Sequence, residues 1–389
     1  MQAAQLAAAE DLGMAPGRSS FPLTDGLHVE SWRSLDLAAI EVSWQRLADT
    51  ASTPNAFFEA FFLRPSLALL DAGGEVRLAL LVRDGELRAL LPCVQSRTYQ
   101  GRRLPNAMSW LHANMFCGVP LIEAGFEEVF WQSYLASSDR NGGGHWFCHF
   151  PHLPLDCAAT RALEAVCKRE DRQFRIVCRE ERAILGSGPS PEDHLANAMS
   201  RKRRKELRRQ RNRLDELGTV EIRRSRTAQG MDQWLADFLD LESRGWKGEH
   251  GSALASHPKT EAMFRMVLSG AARVGTLERL SLELDGRPIA MLATLLAYPG
   301  SFAFKTAFDE DFARFSPGMQ LQVENLALLD DPDLAWCDSC AAPNHPMIEH
   351  IWRDRREMVW ITVEAGRGWR RRLGKLWARI EASRMERRR

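Results

Sequence analysis

Apolar and polar positions along the chain switch repeatedly between two periods, which predicts alternating helices and strands. Residues 36–48 read as a helix, and 54–62 (PNAFFEAFF) open another with Phe57, Phe58, Phe61 and Phe62 on one buried face. Strands are predicted over 76–82 and 87–95, joined by an Asp84-Gly85 hairpin turn. Two more fall at 146–150 and 175–179, with a helix over 158–170 before the second. The stretch 186–191 (GSGPSP) reads as a linker.

After the linker a similar pattern resumes. Residues 194–217 read as one long charged helix, 220–225 as a strand, and 231–243 as a helix with Trp234, Leu235, Phe238 and Leu241 on one face. An amphipathic helix over 260–274 precedes a hairpin, 280–284 and 289–296, turned by Asp285-Gly286-Arg287-Pro288. A third strand (301–307), a helix opened by Ser316-Pro317-Gly318 (319–329) and a strand (334–338) complete the run. The first 25 residues read as a tail. The expected fold class is α/β (α+β), with domains at 26–185 and 186–365 and a basic helix at 366–389.

Composition changes the picture only through charge. Of the 389 residues, 45% are hydrophobic and 26% charged, which excludes a disordered or collagen-like chain. The net charge of +1 conceals two cationic segments. Residues 201–213 and 366–389 hold nineteen of the 52 basic residues but three of the 51 acidic ones, so an acidic body carries two basic helices. Such asymmetry predicts an anionic partner. No apolar run nears the roughly 18–20 residues of a membrane span. The N-terminal segment lacks a basic n-region and holds Glu10 and Asp11, against a secretory signal. Eight scattered cysteines, mostly beside apolar residues, read as reduced, buried thiols. The expected location is cytoplasmic, with contact at the inner membrane face left open.

The order of the second half, two antiparallel strands, a third strand, a short polar loop, a helix and a strand, resembles the GNAT acyltransferase core. The segments SRKRRKELRRQRNRL, ESRGWKG, LELDGRPIAMLATLLA, FKTAFDEDFARFSPGMQL and DSCAAPNHPMIEHIWRDRR are together similar to the CelD/BcsL-type acetyltransferases and, more distantly, to the FemABX aminoacyltransferases. The resemblance covers roughly residues 190–365. It implies two tandem GNAT-like domains, each a mostly antiparallel mixed sheet flanked by helices, with the working site in the second and the first degenerate. It also implies a loop that aims helix N-terminal N–H groups at the pyrophosphate of acetyl-CoA or another acyl-CoA. That loop is 312–320, which lacks the Gly-rich Q/R-x-x-G-x-G/A form of simple GNAT enzymes. Arg314, Ser316, Gly318, Met319 and Gln320 are the cofactor-binding candidates, with Ser316 as helix cap and Gly318 allowing close backbone approach. The alternative is an ordinary capped helix start with Pro317 in its first turn.

Five residues are candidates for the chemistry. Lys305, at the end of the strand lining the acyl site in such folds, is placed to bond the thioester carbonyl or the acceptor. Asp309, on the following turn, and Glu242 offer carboxylate bases, against the alternative of solvated or ion-paired side chains. Asp338 and His345 flank the next strand end, and an imidazole titrating near 6.5 suits proton transfer at neutrality. Trp246 and Lys247 form a candidate acceptor lip, or alternatively fold back past a glycine cap. Arg204 and Arg208 are candidate contacts for an anionic acceptor, or part of a solvated face. Neither Cys337-x2-Cys340 with His345 and His350 nor the cluster His145, Cys148, His149, His152 has metal-site spacing, so no metal is expected. The basic helix lacks interleaved aromatics, against duplex DNA.

The C-terminal helix places Trp369, Leu373, Leu376, Trp377 and Ile380 on one face among arginines, the form of a membrane-surface helix or of one docked on its own domain. The expected function is direct acyl transfer from acyl-CoA to an amine or hydroxyl of a small-molecule, glycan or lipid acceptor. Cellulose, exopolysaccharide or envelope synthesis is implied by the resemblance. The alternatives are FemABX-like transfer from charged tRNA and a non-catalytic, membrane-associated binding protein.

Overall fold

A computed structural model describes residues 23–386 apart from 141–144, 246, 247 and 249. In chain order the first half holds β1 (Gly26–Ser31), α1 (Glu41–Thr50), α2 (Ala60–Leu70), β2 (Arg77–Arg83), β3 (Glu86–Ser96), β4 (Asn106–Ser109), β5 (Leu121–Ile122), α3 (Glu127–Arg140), β6 (Phe147–Pro154), α4 (Ala158–Arg169) and β7 (Phe174–Gly186). The second holds α5 (Pro191–Ala198), α6 (Arg201–Asp215), β8 (Val220–Ser225), α7 (Met231–Arg244), α8 (Pro258–Arg273), β9 (Leu277–Leu284), β10 (Arg287–Ala297), β11 (Gly300–Phe308), α9 (Pro317–Glu324), β12 (Trp336–Asp338) and β13 (Asp354–Glu364). The helix α10 (Trp369–Glu386) follows.

All strands join one sheet, ordered β1-β2-β3-β4-β6-β13-β7-β12-β11-β10-β9-β8, with β5 beside β3. Each half repeats one pattern. Three antiparallel pairings lead to a parallel one, β4 with β6 and β11 with β12, and then to a final antiparallel strand. The final strands are exchanged. β13, last in sequence, pairs with β6 of the first half, while β7 pairs with β12 of the second. β7 and β13 pair along the centre. Of the segment expected as a linker, Gly186 is the last paired residue of β7 and Pro191 the first of α5, and the sheet runs through unbroken.

The core is shared as well. Phe57 packs edge-on against Phe302 at 5.1 Å between centroids, Phe62 against Phe304 at 5.5 Å, and Phe264 stacks on Phe304. A second apolar cluster on the other side of the second half gathers Leu280, Leu282, Leu292, Leu321, Leu326 and Trp352.

Several sequence expectations are corrected here. The helix expected over 194–217 is two helices, because Ser200 stops the first and caps the second by accepting the Arg203 N–H at 3.3 Å. The aromatic helix at 54–62 is a short 3-10 turn followed by α2, split at Glu59, whose extended backbone ends one and starts the other. The strand at 175–179 extends to Gly186, and β1, β4, β5, β13 and α3 were not expected. α10 docks by Trp377, Ala378 and Glu381, leaving Trp369, Leu376 and Ile380 exposed, so its apolar stripe is divided between protein and solvent. Among the described residues no helix is long and apolar enough to cross a membrane.

Candidate active site

The parallel pairing of β11 with β12 lasts three residues, Gly300–Phe302 against Trp336–Asp338. Beyond it the strands part. β12 ends where Asp338 Oδ1 accepts the Cys340 N–H at 2.8 Å and Cys340 turns left-handed at φ 53°. β11 runs on to Phe308 with an extra residue: Ala303 faces Thr294 and Lys305 faces Ala293, so Phe304 bulges between them. Such a bulge kinks the strand and re-aims the following side chain.

The opening is a cleft of about 790 Å³, within the range of small-molecule sites. Lys305, Ser316, Gly318, Met319, Cys340 and His345 line it. One wall is the N-terminus of α9. Pro317 lacks an N–H, the Gln320 N–H goes to the Ser316 carbonyl, and the amides of Gly318 and Met319 belong to the unbonded first turn. A helix start carries roughly half a positive charge, so this wall favours an anion. Gly318 keeps the backbone close to its neighbours: a Cβ there would lie 2.9 Å from the Met347 sulfur and 3.2 Å from Phe308.

The first half completes the cleft. Lys305 Nζ donates to Asn114 Oδ1 at 2.7 Å and lies 5.4 Å from the Phe116 ring and 5.5 Å from that of Phe304. Behind it, burial pushes the His112 imidazole down to about 4, and the Lys305 charge acts in the same direction. Across the cleft, His345 Nδ1 accepts the Ile348 N–H at 3.4 Å. Burial, and then the Asp338 carboxylate, hold the Cys340 thiol well above its ordinary range, a poor setting for a nucleophile.

The structure thus brings together Lys305, His345, Ser316, Gly318 and Met319, and it corrects the rest. Asp309 is buried off the cleft, accepting from Arg287 at 2.7 Å and from its own turn at Asp311. Glu242 is buried behind β11, accepting the Leu254 N–H at 2.8 Å. Asp338 is fully buried, 3.5 Å from Arg182. Each carboxylate holds a turn or an ion pair. Ser316 makes no side-chain cap, since its backbone is left-handed at φ 53°. Arg314 is exposed over the Phe315 ring. Gln320, Arg204 and Arg208 line another pocket, on the far side of α9. Trp246 and Lys247 lie outside the described residues.

Asn114 and Phe116 were missed, and no local signal marks them because their partner is almost 200 residues away. Gln322 was missed too. It is fully buried in the cleft wall, with Oε1 accepting from Trp352 at 3.2 Å and Nε2 unpartnered.

The matching opening in the first half is closed. After β4 the chain loops back and the Gly118 N–H bonds the His152 carbonyl at 2.9 Å, along the line where β6 would leave β4. Its crossing helix, α3, begins Glu127-Glu128, which repels an anion. Among the described residues no group of three His, Cys, Asp or Glu side chains is placed to hold a metal.

A sheet of two repeated halves with a splayed strand pair and a helix start in the gap defines a GNAT-like fold of the tandem kind. Residues 201–344 match the family described as "Acetyltransferase (GNAT) domain". Among solved structures it is similar to FemX (10% identity over 83% of this chain and 95% of that one, TM-score 0.53). It is also similar to the C-terminal domain of a putative lysylphosphatidylglycerol synthetase from Agrobacterium fabrum (13%, 88% and 96%, 0.52). A conserved protein of unknown function from Bacteroides thetaiotaomicron gives a similar match (13%, 87% and 99%, 0.52). At such identities the likeness concerns the fold. No curated protein matches the sequence.

Proposed function

We propose that the protein transfers an acyl group from acyl-CoA to an amine or hydroxyl of a polar or anionic acceptor, in the cleft between β11 and α9. The observation that supports this best is the convergence of Lys305, His345 and the α9 N-terminus on one cleft. In this reading the Gly318 and Met319 amides hold the pyrophosphate, and Lys305 donates to the thioester oxygen as it gains negative charge. His345 takes the proton of the attacking amine or hydroxyl; the new C–N or C–O bond forms as C–S breaks, and the thiolate leaves and is protonated. The raised Cys340 thiol supports direct attack over an acyl-enzyme. The CelD/BcsL resemblance supports an envelope or exopolysaccharide acceptor.

Calorimetry with acetyl-CoA and longer acyl-CoAs tests the reading. Saturable binding is expected, and Gly318→Trp, which fills the cleft beside Met347 and Phe308, abolishes it. No binding by any acyl-CoA, with Gly318→Trp changing nothing, sinks the proposal. Transfer that requires charged tRNA instead moves the protein to the FemABX-like reading.

A further inference from the structure

Nine basic side chains on residues 201–213 take no part in the cleft just described. Three of them, Arg204, Arg208 and Arg211, stand at helical spacing on one face of α6 and look toward α9. Between the helices lies a pocket of about 330 Å³ that shares no lining residue with the acyl cleft. Gln320, Val323 and Glu324 face it from α9, while Gly318, Met319 and Gln322 face the cleft from the opposite side.

The chemistry of this pocket is specific. Leu195, Leu207 and Val323 supply an apolar floor. Arg211 is engaged, 3.3 Å from Asp215 and 3.9 Å from Glu324. Arg204 and Arg208 make no ion pair with any described residue, and the Arg204 Nε is buried without a hydrogen-bond partner. Gln320 is 4% exposed; its Nε2 donates to the Phe315 carbonyl at 2.8 Å while its Oε1 has no partner. Arg208 is exposed at the pocket and Arg204 half-buried beside it, so two guanidinium groups without a carboxylate partner among the described residues face one apolar floor, a setting that suits a phosphate. Glu192 and Glu324 on the same wall keep the net charge of the pocket small, which disfavours a polyanion such as nucleic acid.

We propose that the α6–α9 pocket is a second ligand site, taking a phosphomonoester with an apolar tail: phosphate on Arg204 and Arg208, and the tail on Leu195, Leu207 and Val323. The site is separate from the acyl-CoA reading and stands or falls without it. The ligand chemistry has two sources, a phospholipid headgroup with the start of its chains and a soluble phosphorylated amphiphile.

Octyl phosphate, a monomeric probe, tests it by calorimetry on the full chain. One molecule is expected to bind per chain, at least tenfold more tightly than inorganic phosphate or octanol. Arg204→Ala with Arg208→Ala weakens it at least tenfold. Lys202→Ala with Lys205→Ala, which removes equal charge from exposed positions of the same helix outside the pocket, leaves the affinity within twofold. Flotation with phosphatidic acid vesicles that the arginine pair abolishes assigns the lipid source; octyl phosphate binding without flotation assigns the soluble one. Absence of octyl phosphate binding, equal loss in the lysine pair, or competition by acetyl-CoA or tRNA overturns the site.

Discussion

At Lys305 a charged side chain is half-buried, donating to Asn114 and lying by the Phe116 and Phe304 rings, so its direction is set before any substrate arrives. Lys305→Met, which keeps length and removes charge, is expected to lower kcat by about 10²–10³ while acyl-CoA affinity stays within a few-fold. Unchanged turnover in a protein that still binds acyl-CoA would take Lys305 out of the chemistry. His345→Ala should lower kcat by about 10²–10⁴ while acyl-CoA affinity stays within a few-fold, and unchanged turnover would remove it from the chemistry. Lys305 was legible because a strand end next to a helix-start loop is a local pattern. Asp309, Glu242 and Asp338 were equally prominent in sequence, yet their partners, Arg287, the Leu254 amide and Arg182, come from other segments. Carboxylates declare their role only when those partners are in place.

Among elements, α10 shows most clearly how context divides an amphipathic pattern. Trp377 packs against Tyr99 at 6.4 Å, and Glu381 accepts from the Tyr99 hydroxyl at 2.5 Å and from Gln100 at 3.0 Å. The helix comes so close at Gly374 that a Cβ would lie 1.8 Å from the Trp146 carbonyl. Backbone cannot yield there as a side chain would, so Gly374→Ala should cost about 1–3 kcal/mol, read as a lower denaturation midpoint. A midpoint equal to wild type would show that α10 is not docked in this way. Hairpins and amphipathic helices of the second half were predicted within a few residues because turn chemistry and period are local. The short β4 and β5, and β13 with its run of charges, carry too little period to show without their neighbours.

Over the whole molecule, the exchanged strands tie the halves together. Chains cut at 186–191 and expressed apart are expected to be insoluble, and to form a stable complex when produced together, because β7 and β13 each complete the other half's sheet. Soluble, cooperatively folding separate halves would contradict that reading. The same junction governs acid stability. Burial holds His149 at about 3 and His152 at about 4, each helped by a positive neighbour, and His112 at about 4. The folded state therefore binds fewer protons than the unfolded state, whose imidazoles titrate near 6.5, and stability falls as pH drops below that value. At pH 5 each such histidine costs about 2 kcal/mol relative to neutral pH. Thermal scans from pH 7 to 5 should show a steep loss, shallower in His149→Gln; parallel curves for the two proteins would exclude His149 as a contributor.

By itself the sequence determined the α/β class, the repeated order of elements, the helix start at Ser316-Pro317-Gly318 and the two basic segments concealed by a net charge of +1. All are written in neighbouring residues, as period, turn chemistry or charge runs. Only the tertiary structure decided that the first half lends Phe116 to the second half's cleft and Asn114 to the Lys305 ammonium. It also decided that the last strands are exchanged, and that α9 has Gly318 on one side and Gln320 with the arginines of α6 on the other. Those facts depend on contacts between residues tens to hundreds of positions apart, where side-chain packing and burial, rather than local pattern, choose the partner.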